Sequence, residues 1–223
     1  FCLAMLLLPM DSSFLESGFD GLLSNAAAAS QHPGSSGGRH VFLCQFSHCK
    51  TDTRLSWRAG LPIAVNFQQS LHLQGGPDVF FVTSDDNCVE ANNAYGASSN
   101  GDEKLKYVFS LESSRRFFPH SKRDKTSLSR VLAAYEVLKR NVTILNFDPD
   151  FFFFNPVDTF DQATVAMSSY SSNRLVYCDD CAEVENMSCF GVWRWSAHHP
   201  AGPSLFQLYF FLYLTDVSGA ERR

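Results

Sequence analysis

The stretch that decides the fold spans residues 142–160, VTILNFDPDFFFFNPVDTF. Its first six residues are short, apolar and rich in β-branched and aromatic side chains, so they read as a buried strand. That strand runs straight into Asp148-Pro149-Asp150. If it is parallel to its neighbours, it delivers two carboxylates to the carboxyl edge of a sheet, where open α/β sheets keep their ligand crevices. Pro149 fixes its own φ and biases Asp148 towards an extended conformation. Residues two apart on an extended chain project to one side, so both acids are expected to address one point. The four phenylalanines that follow, 151–154, read as a strand buried on both faces, ended by Asn155-Pro156.

Working upstream, residues 127–140 carry Leu128, Val131, Leu132, Tyr135 and Leu138 at three- and four-residue steps, with Ser129, Arg130, Glu136 and Lys139 between them. That spacing predicts an amphipathic helix with one face on the sheet. Further strands are expected at 41–46, 78–84 and 107–111, and further helices at 61–73 and, more weakly, 87–95. Gly75-Gly76-Pro77 should stop the first of these helices, and GASSNG at 96–101 should form a loop. Beyond residue 160 the pattern thins: 165–169 and 174–177 read as strands, Trp193 and Trp195 share one face of another, and 204–214 is an aromatic helix or strand. No internal repeat is visible. Strands alternating with helices predict an α/β fold with a Rossmann-like, mostly parallel central sheet flanked by helices.

Residues 24–40, SNAAAASQHPGSSGGRH, have the composition of a flexible tether, and 1–10 form a nearly unbroken apolar run. Ten residues are too few to cross a bilayer, which takes about 20, yet they suit the tail of a signal or anchor segment, or a buried element. The expected organisation is therefore an apolar segment and stem at 1–40, an α/β domain at 41–216 and a polar tail at 217–223. The first residue is Phe, so the chain is expected to begin partway through a longer reading frame.

Composition narrows the function. Among 223 residues, 45% are hydrophobic and 18% charged, which suits a globular core. Lys plus Arg (18) against Asp plus Glu (23) leaves a net charge of −5, so no global positive field exists to hold nucleic acid. Seven cysteines (Cys2, Cys44, Cys49, Cys88, Cys178, Cys181, Cys189) leave an odd thiol and do not fix the redox compartment. Two sequons, at Asn141 and Asn186, are compatible with the secretory route.

Two carboxylates aimed at one point repel unless a proton or cation sits between them. Mg²⁺ or Mn²⁺ relieves the repulsion and is usually held by one or two protein carboxylates, water and substrate phosphates completing the shell. A metal-bridged diphosphate is the matching guest. The competing interpretation is that Asp148 and Asp150 are turn or N-cap residues with solvated charges.

The order of features, a helix, VTILNFD, DPD, FFFF and then NPVDTF, resembles the core of the nucleotide-diphospho-sugar transferases. These are GT-A type glycosyltransferases whose plant and algal members transfer xylose or arabinose. AVNFQQSL around Asn66 and DVFFVTSDDNC at 78–88 are similar to that family's early helix and second strand, and NMSCFG from Asn186 to its Asn-x-Gly motif. The resemblance spans about 41–215 and is specific only over about 125–160. Two features depart from it: the interval from Asp150 to Pro156 is one residue shorter than in the closest members, and Ser188 stands where glycine is usual. The resemblance implies that Asp148 and Asp150 hold Mn²⁺ or Mg²⁺. It also implies that Asp85, Asp86, Lys125 and Arg130 bind the nucleotide-sugar, with a uridine diphosphate sugar as donor. Asp179, Asp180 and Asn186 would then face the sugar or a glycan or glycoprotein acceptor. A Golgi or other secretory-lumen location follows, with membrane contact only through an N-terminal anchor. It designates no catalytic residue.

Other motifs are weaker. Cys178-Asp179-Asp180-Cys181 has the spacing of half a zinc site, with Cys189 and His198-His199 as the nearest partners, but a local disulfide or free thiols fit it better. The elbow, helix and loop motifs of serine hydrolases, zinc proteases and P-loop enzymes do not occur. The alternatives that remain are a metal-dependent phosphoesterase using the same acids, and a truncated or degenerate domain without turnover.

Overall fold

The computed structural model describes residues 18–30, 39–47, 49, 60–98, 104–111, 125–157, 175–177 and 192–197. The elements in chain order are α1 (Phe19–Ala29), β1 (His40–Phe46), α2 (Gly60–Leu73), β2 (Phe80–Thr83), α3 (Asp86–Ser98), β3 (Tyr107–Ser110), α4 (Lys125–Lys139), β4 (Thr143–Phe147), β5 (Leu175–Tyr177) and β6 (Val192–Trp195). The strands form one sheet in the order β3-β2-β1-β4-β6-β5. β3, β2, β1 and β4 run parallel, β6 pairs antiparallel with β4, and β5 pairs antiparallel with β6. This is the α/β, mostly parallel, Rossmann-like arrangement that the alternating pattern predicts.

The parallel strands are apolar because both faces are covered. All seven residues of β1 are buried, as are all five of β4. Alternate side chains of the sheet enter two cores. One contains Val41, Leu43, Phe80, Val82 and Ile144 with the inner faces of α1 and α4, and the other contains Phe42, Cys44, Phe46, Phe81, Leu145 and Phe147 with α2. Crossover helices α2 and α3 thus cover one face, whereas α4, which leads into β4, covers the other. The connections reverse direction between β1 and β4, making that pair the topological switch point, where α/β sheets open their crevice at the carboxyl edge.

Two glycines are required, one by a close contact and one by its backbone angle. At Gly60 a Cβ would fall 1.9 Å from the Ser47 carbonyl oxygen, so the start of α2 abuts the end of β1 only because no side chain intervenes. Gly75, at φ +77°, ends α2, where the amides of Gly75 and Gly76 return to the carbonyls of His72 and Leu71. Asn141 (φ 58°) plays the matching part between α4 and β4.

Four expectations are corrected. Residues 24–29 are the end of α1, not a tether; Ala26 and Ala27 are fully buried and Phe19 packs edge-on against Phe80 and Phe109. A run of alanines is strongly helix-forming and lets a helix lie close to its neighbours, so low complexity here signals tight packing. Arg140 fixes α1 further by pairing with Asp20 and Glu136 and covering the Phe19 ring. The domain therefore includes α1 and does not begin at 41. Residues 96–98, expected in a loop, extend α3. Asp148 to Asp150 form a turn, closed by the Phe151 amide on the Asp148 carbonyl at 3.1 Å, in place of extended chain. The phenylalanines after it are not a strand buried on both faces: Phe153 is 8% exposed, but Phe152 is 46% and Phe154 87% exposed. The stretches 1–10, 165–169 and 204–214 lie outside the described residues. Of the paired tryptophans, Trp195 is a core residue.

The outward phenylalanines and the inward one should respond oppositely to truncation. Phe153→Ala is expected to cost about 3–5 kcal/mol of unfolding free energy and Phe154→Ala within about 0.5 kcal/mol, both measured by urea denaturation.

Candidate functional site

The carboxyl ends of β2, β1 and β4 present polar residues side by side. In the β1–β4 register Cys44 lies opposite Phe147, so the next residues, Gln45 and Asp148, leave the ladder at the switch point. Side chains of Gln45, Asn146 and Asp148 follow the parity of the α4 face. Gln45 and Asn146 are buried at 2% and 0% exposure. Arg130 comes from the second turn of α4, whose N-terminal end lies at the same edge because the crossover runs antiparallel to the strands.

Arg130 connects these groups. Its Nη2 donates to Asp148 Oδ1 at 2.5 Å and its Nε donates to Gln45 Oε1 at 3.3 Å. Both members of the ion pair are partly covered, with side-chain exposures of 24% and 33%. Asp150, two residues on, is exposed. The Cys44 thiol lies beneath and is fully buried. Desolvation pushes its pKa well above the usual thiol value, Arg130 draws it down, and Asp148 and Asp150 add to the rise. One buried sulfur thus feels all three charges, which places them in a common neighbourhood.

The turn is held from below by rings. Phe147 stacks on Phe42 with centroids 5.6 Å apart, and Phe151 and Phe153 fold back onto it at 5.4 and 5.2 Å. Phe67 of α2 closes the cluster against Phe147 and Phe153. Aromatic packing therefore fixes where the chain turns.

On the other side of β1, Asp85 caps α3. Its Oδ1 accepts from the amide of Asn87 at 3.1 Å and from the Asn87 side chain at 2.7 Å, while its own amide donates to Thr83 Oγ1. Its Oδ2 makes no hydrogen bond among the described residues. Asp86 is exposed and accepts from the Ser110 hydroxyl. Asp85 and Asp148 follow strands that flank β1, which sets the two positions about 10 Å apart at the usual strand spacing. A disulfide between Cys49, just past β1, and Cys88, in the first turn of α3, ties the same edge together. Closing that span restricts the unfolded chain, an effect of about 3–4 kcal/mol in the entropic account.

The structure thus pairs Arg130 with Asp148, leaves Asp150 exposed in the same turn two residues on, and sets Asp85 and Asp86 across the end of β1. Lys125 is the first residue of α4. Asp179, Asp180, Asn186, the Cys178–Cys181 pair, Cys189 and His198-His199 lie outside the described residues. Gln45 was not singled out by sequence, because one glutamine in an apolar strand carries no motif; only its burial at a strand end marks it. Among the described residues no group of three or more His, Cys, Asp or Glu side chains is arranged to hold a metal ion. Two carboxylates suit Mg²⁺ or Mn²⁺ that brings part of its own oxygen shell, and the guanidinium beside them suits phosphate. The donor set fits a metal–diphosphate better than a bare ion.

No family model matches the chain, and no curated protein matches it.

The Cys44 thiol gives the site a pH signature. Its folded pKa lies above its unfolded value, so its stabilising contribution is complete below the unfolded thiol pKa of about 8.5 and is lost as pH rises from there towards the folded value. Unfolding free energy should fall above pH 8.5 with a slope of up to about 1.4 kcal/mol per pH unit from this group. Cys44→Ala, compared with the unaltered chain in urea melts from pH 7 to 10, should remove that part of the slope.

Proposed function

We propose that this chain is a metal-dependent glycosyltransferase that moves a sugar from a nucleotide-diphosphate donor, a uridine diphosphate sugar, to a glycan or glycoprotein acceptor. The observation that carries the proposal is the ion pair of Arg130 with Asp148, in the turn that also carries Asp150, at the switch point of a Rossmann-like sheet. That edge is where such sheets bind nucleotides. The resemblance of residues 125–160 to nucleotide-diphospho-sugar transferases supports the same assignment.

In this proposal Asp148 and Asp150 carry Mn²⁺ or Mg²⁺. A divalent ion bound there would neutralise charge on the departing nucleoside diphosphate. Arg130 orients the phosphates with its planar fork, and Lys125, at the start of the same helix, adds positive charge. Asp85 offers Oδ2 to a ribose hydroxyl or the base while Oδ1 caps α3, and Asp86 lies beside it. The α4 and α3 N-termini point their amide dipoles at the same edge. Asp179, Asp180 and Asn186 are assigned to the sugar or acceptor side.

The disulfide Cys49–Cys88 supports an oxidising compartment, consistent with a Golgi or other secretory lumen. Asn141 of the first sequon is exposed in its turn. Among the described residues no helix is long and apolar enough to cross a membrane.

Uridine diphosphate and Mn²⁺ together should raise the melting temperature of the full chain, by about 2.7 kcal/mol of stabilisation at a hundredfold excess over Kd. Either one alone should do less, and Asp148→Ala or Asp150→Ala should abolish the gain. Hydrolysis of the nucleotide to uridine monophosphate and phosphate without any acceptor would instead identify a phosphoesterase.

A further inference from the structure

We propose that Arg130 latches Asp148, so that the acidic turn takes up a divalent cation in company with a diphosphate and resists the bare ion. The inference rests on the donor-site proposal above. Among the described residues Arg130 is held at two points: Asp148 Oδ1 lies 2.5 Å from its Nη2, and Oε1 of the buried Gln45 lies 3.3 Å from its Nε. A helix, a central strand and the acidic turn thus meet on one guanidinium.

A dication approaching Asp148 and Asp150 meets this positive group already in place. The like charges repel across a short distance. The guanidinium must move, which breaks its hydrogen bonds to Asp148 and Gln45 at a partly covered position where charge is screened less than in open water. Asp150, exposed and without a hydrogen bond among the described residues, is the point of first contact. A diphosphate reverses the balance. It offers the guanidinium a pair of oxygens that match its fork, and it supplies the negative charge that lets cation and guanidinium share one edge. Metal and nucleotide should therefore each strengthen the other's binding by one common factor.

The test measures binding in the full chain. Free Mn²⁺ is followed by electron paramagnetic resonance, and uridine diphosphate affinity by calorimetry at saturating Mn²⁺ and in chelator. Arg130→Gln should bind bare Mn²⁺ about tenfold more tightly than the unaltered chain and bind the nucleotide with Mn²⁺ about tenfold less tightly. Opposite signs are the signature, since a merely structural loss would weaken both. If Arg130→Gln binds bare Mn²⁺ no more tightly than the unaltered chain, the latch is wrong. If that variant does not fold, Gln45→Leu releases the anchor on Nε and should shift both affinities in the same opposite directions by a smaller factor; unchanged affinities there overturn the latch as well. The donor-site proposal fails separately, if Asp148→Asn and Asp150→Asn both keep full affinity for nucleotide with Mn²⁺. Loss of that affinity in the aspartate variants alongside an unchanged bare-ion affinity in Arg130→Gln removes the latch alone.

Discussion

The contact on which the site depends is the return of Phe151 and Phe153 onto Phe147. The last residue of β4 is buried between Phe42 and Phe67, and the chain that leaves it must come back over the same ring. That return forces the direction change at residues 148–150. The acids consequently occupy a tight turn whose two ends are anchored in one apolar cluster. Their position is set by ring packing beneath the sheet, and their polar surroundings are set by Gln45 and Arg130 on the opposite face. Each face of the sheet contributes half of the site.

Much of this was legible in the sequence because parallel strands announce themselves. HVFLCQF, FFVT and TILNF are short runs with few polar interruptions, as burial on both faces demands. The helix ending at Lys139 was equally clear from its spacing. What failed to show was whatever depends on a partner distant in sequence. The alanines of α1 look like a tether until β2 and β3 supply the surface on which they pack. The phenylalanine run looks uniformly buried because composition does not say which of four identical rings faces the core. The extended geometry expected around Pro149 gave way to a turn, since the pull of Phe151 and Phe153 towards Phe147 outweighs a local backbone preference.

The candidate site divides along the same line. Asp148 and Asp150 were marked by their place after an apolar strand, and Arg130 by its place in the preceding helix. Their direct pairing was not visible, because Arg130 and Asp148 are eighteen residues apart and meet only once α4 has crossed back over the sheet. Gln45 is a further eighty-five residues from Arg130 and carries no signal of its own. Asp85 illustrates a shared duty: it completes the first turn of α3 with one oxygen, so its presence after β2 has a structural explanation beside any role with a nucleoside.

The packing of α1 bears on how the protein is handled at the bench. Phe19, Leu23, Ala26 and Ala27 roof the part of the sheet where Phe80, Val82 and Phe109 come to the surface of β2 and β3. A recombinant version cut back to the first strand would leave that apolar strip uncovered in water. Sticky, self-associating material would then reflect the missing roof and say nothing about the acidic turn on the far side of the switch.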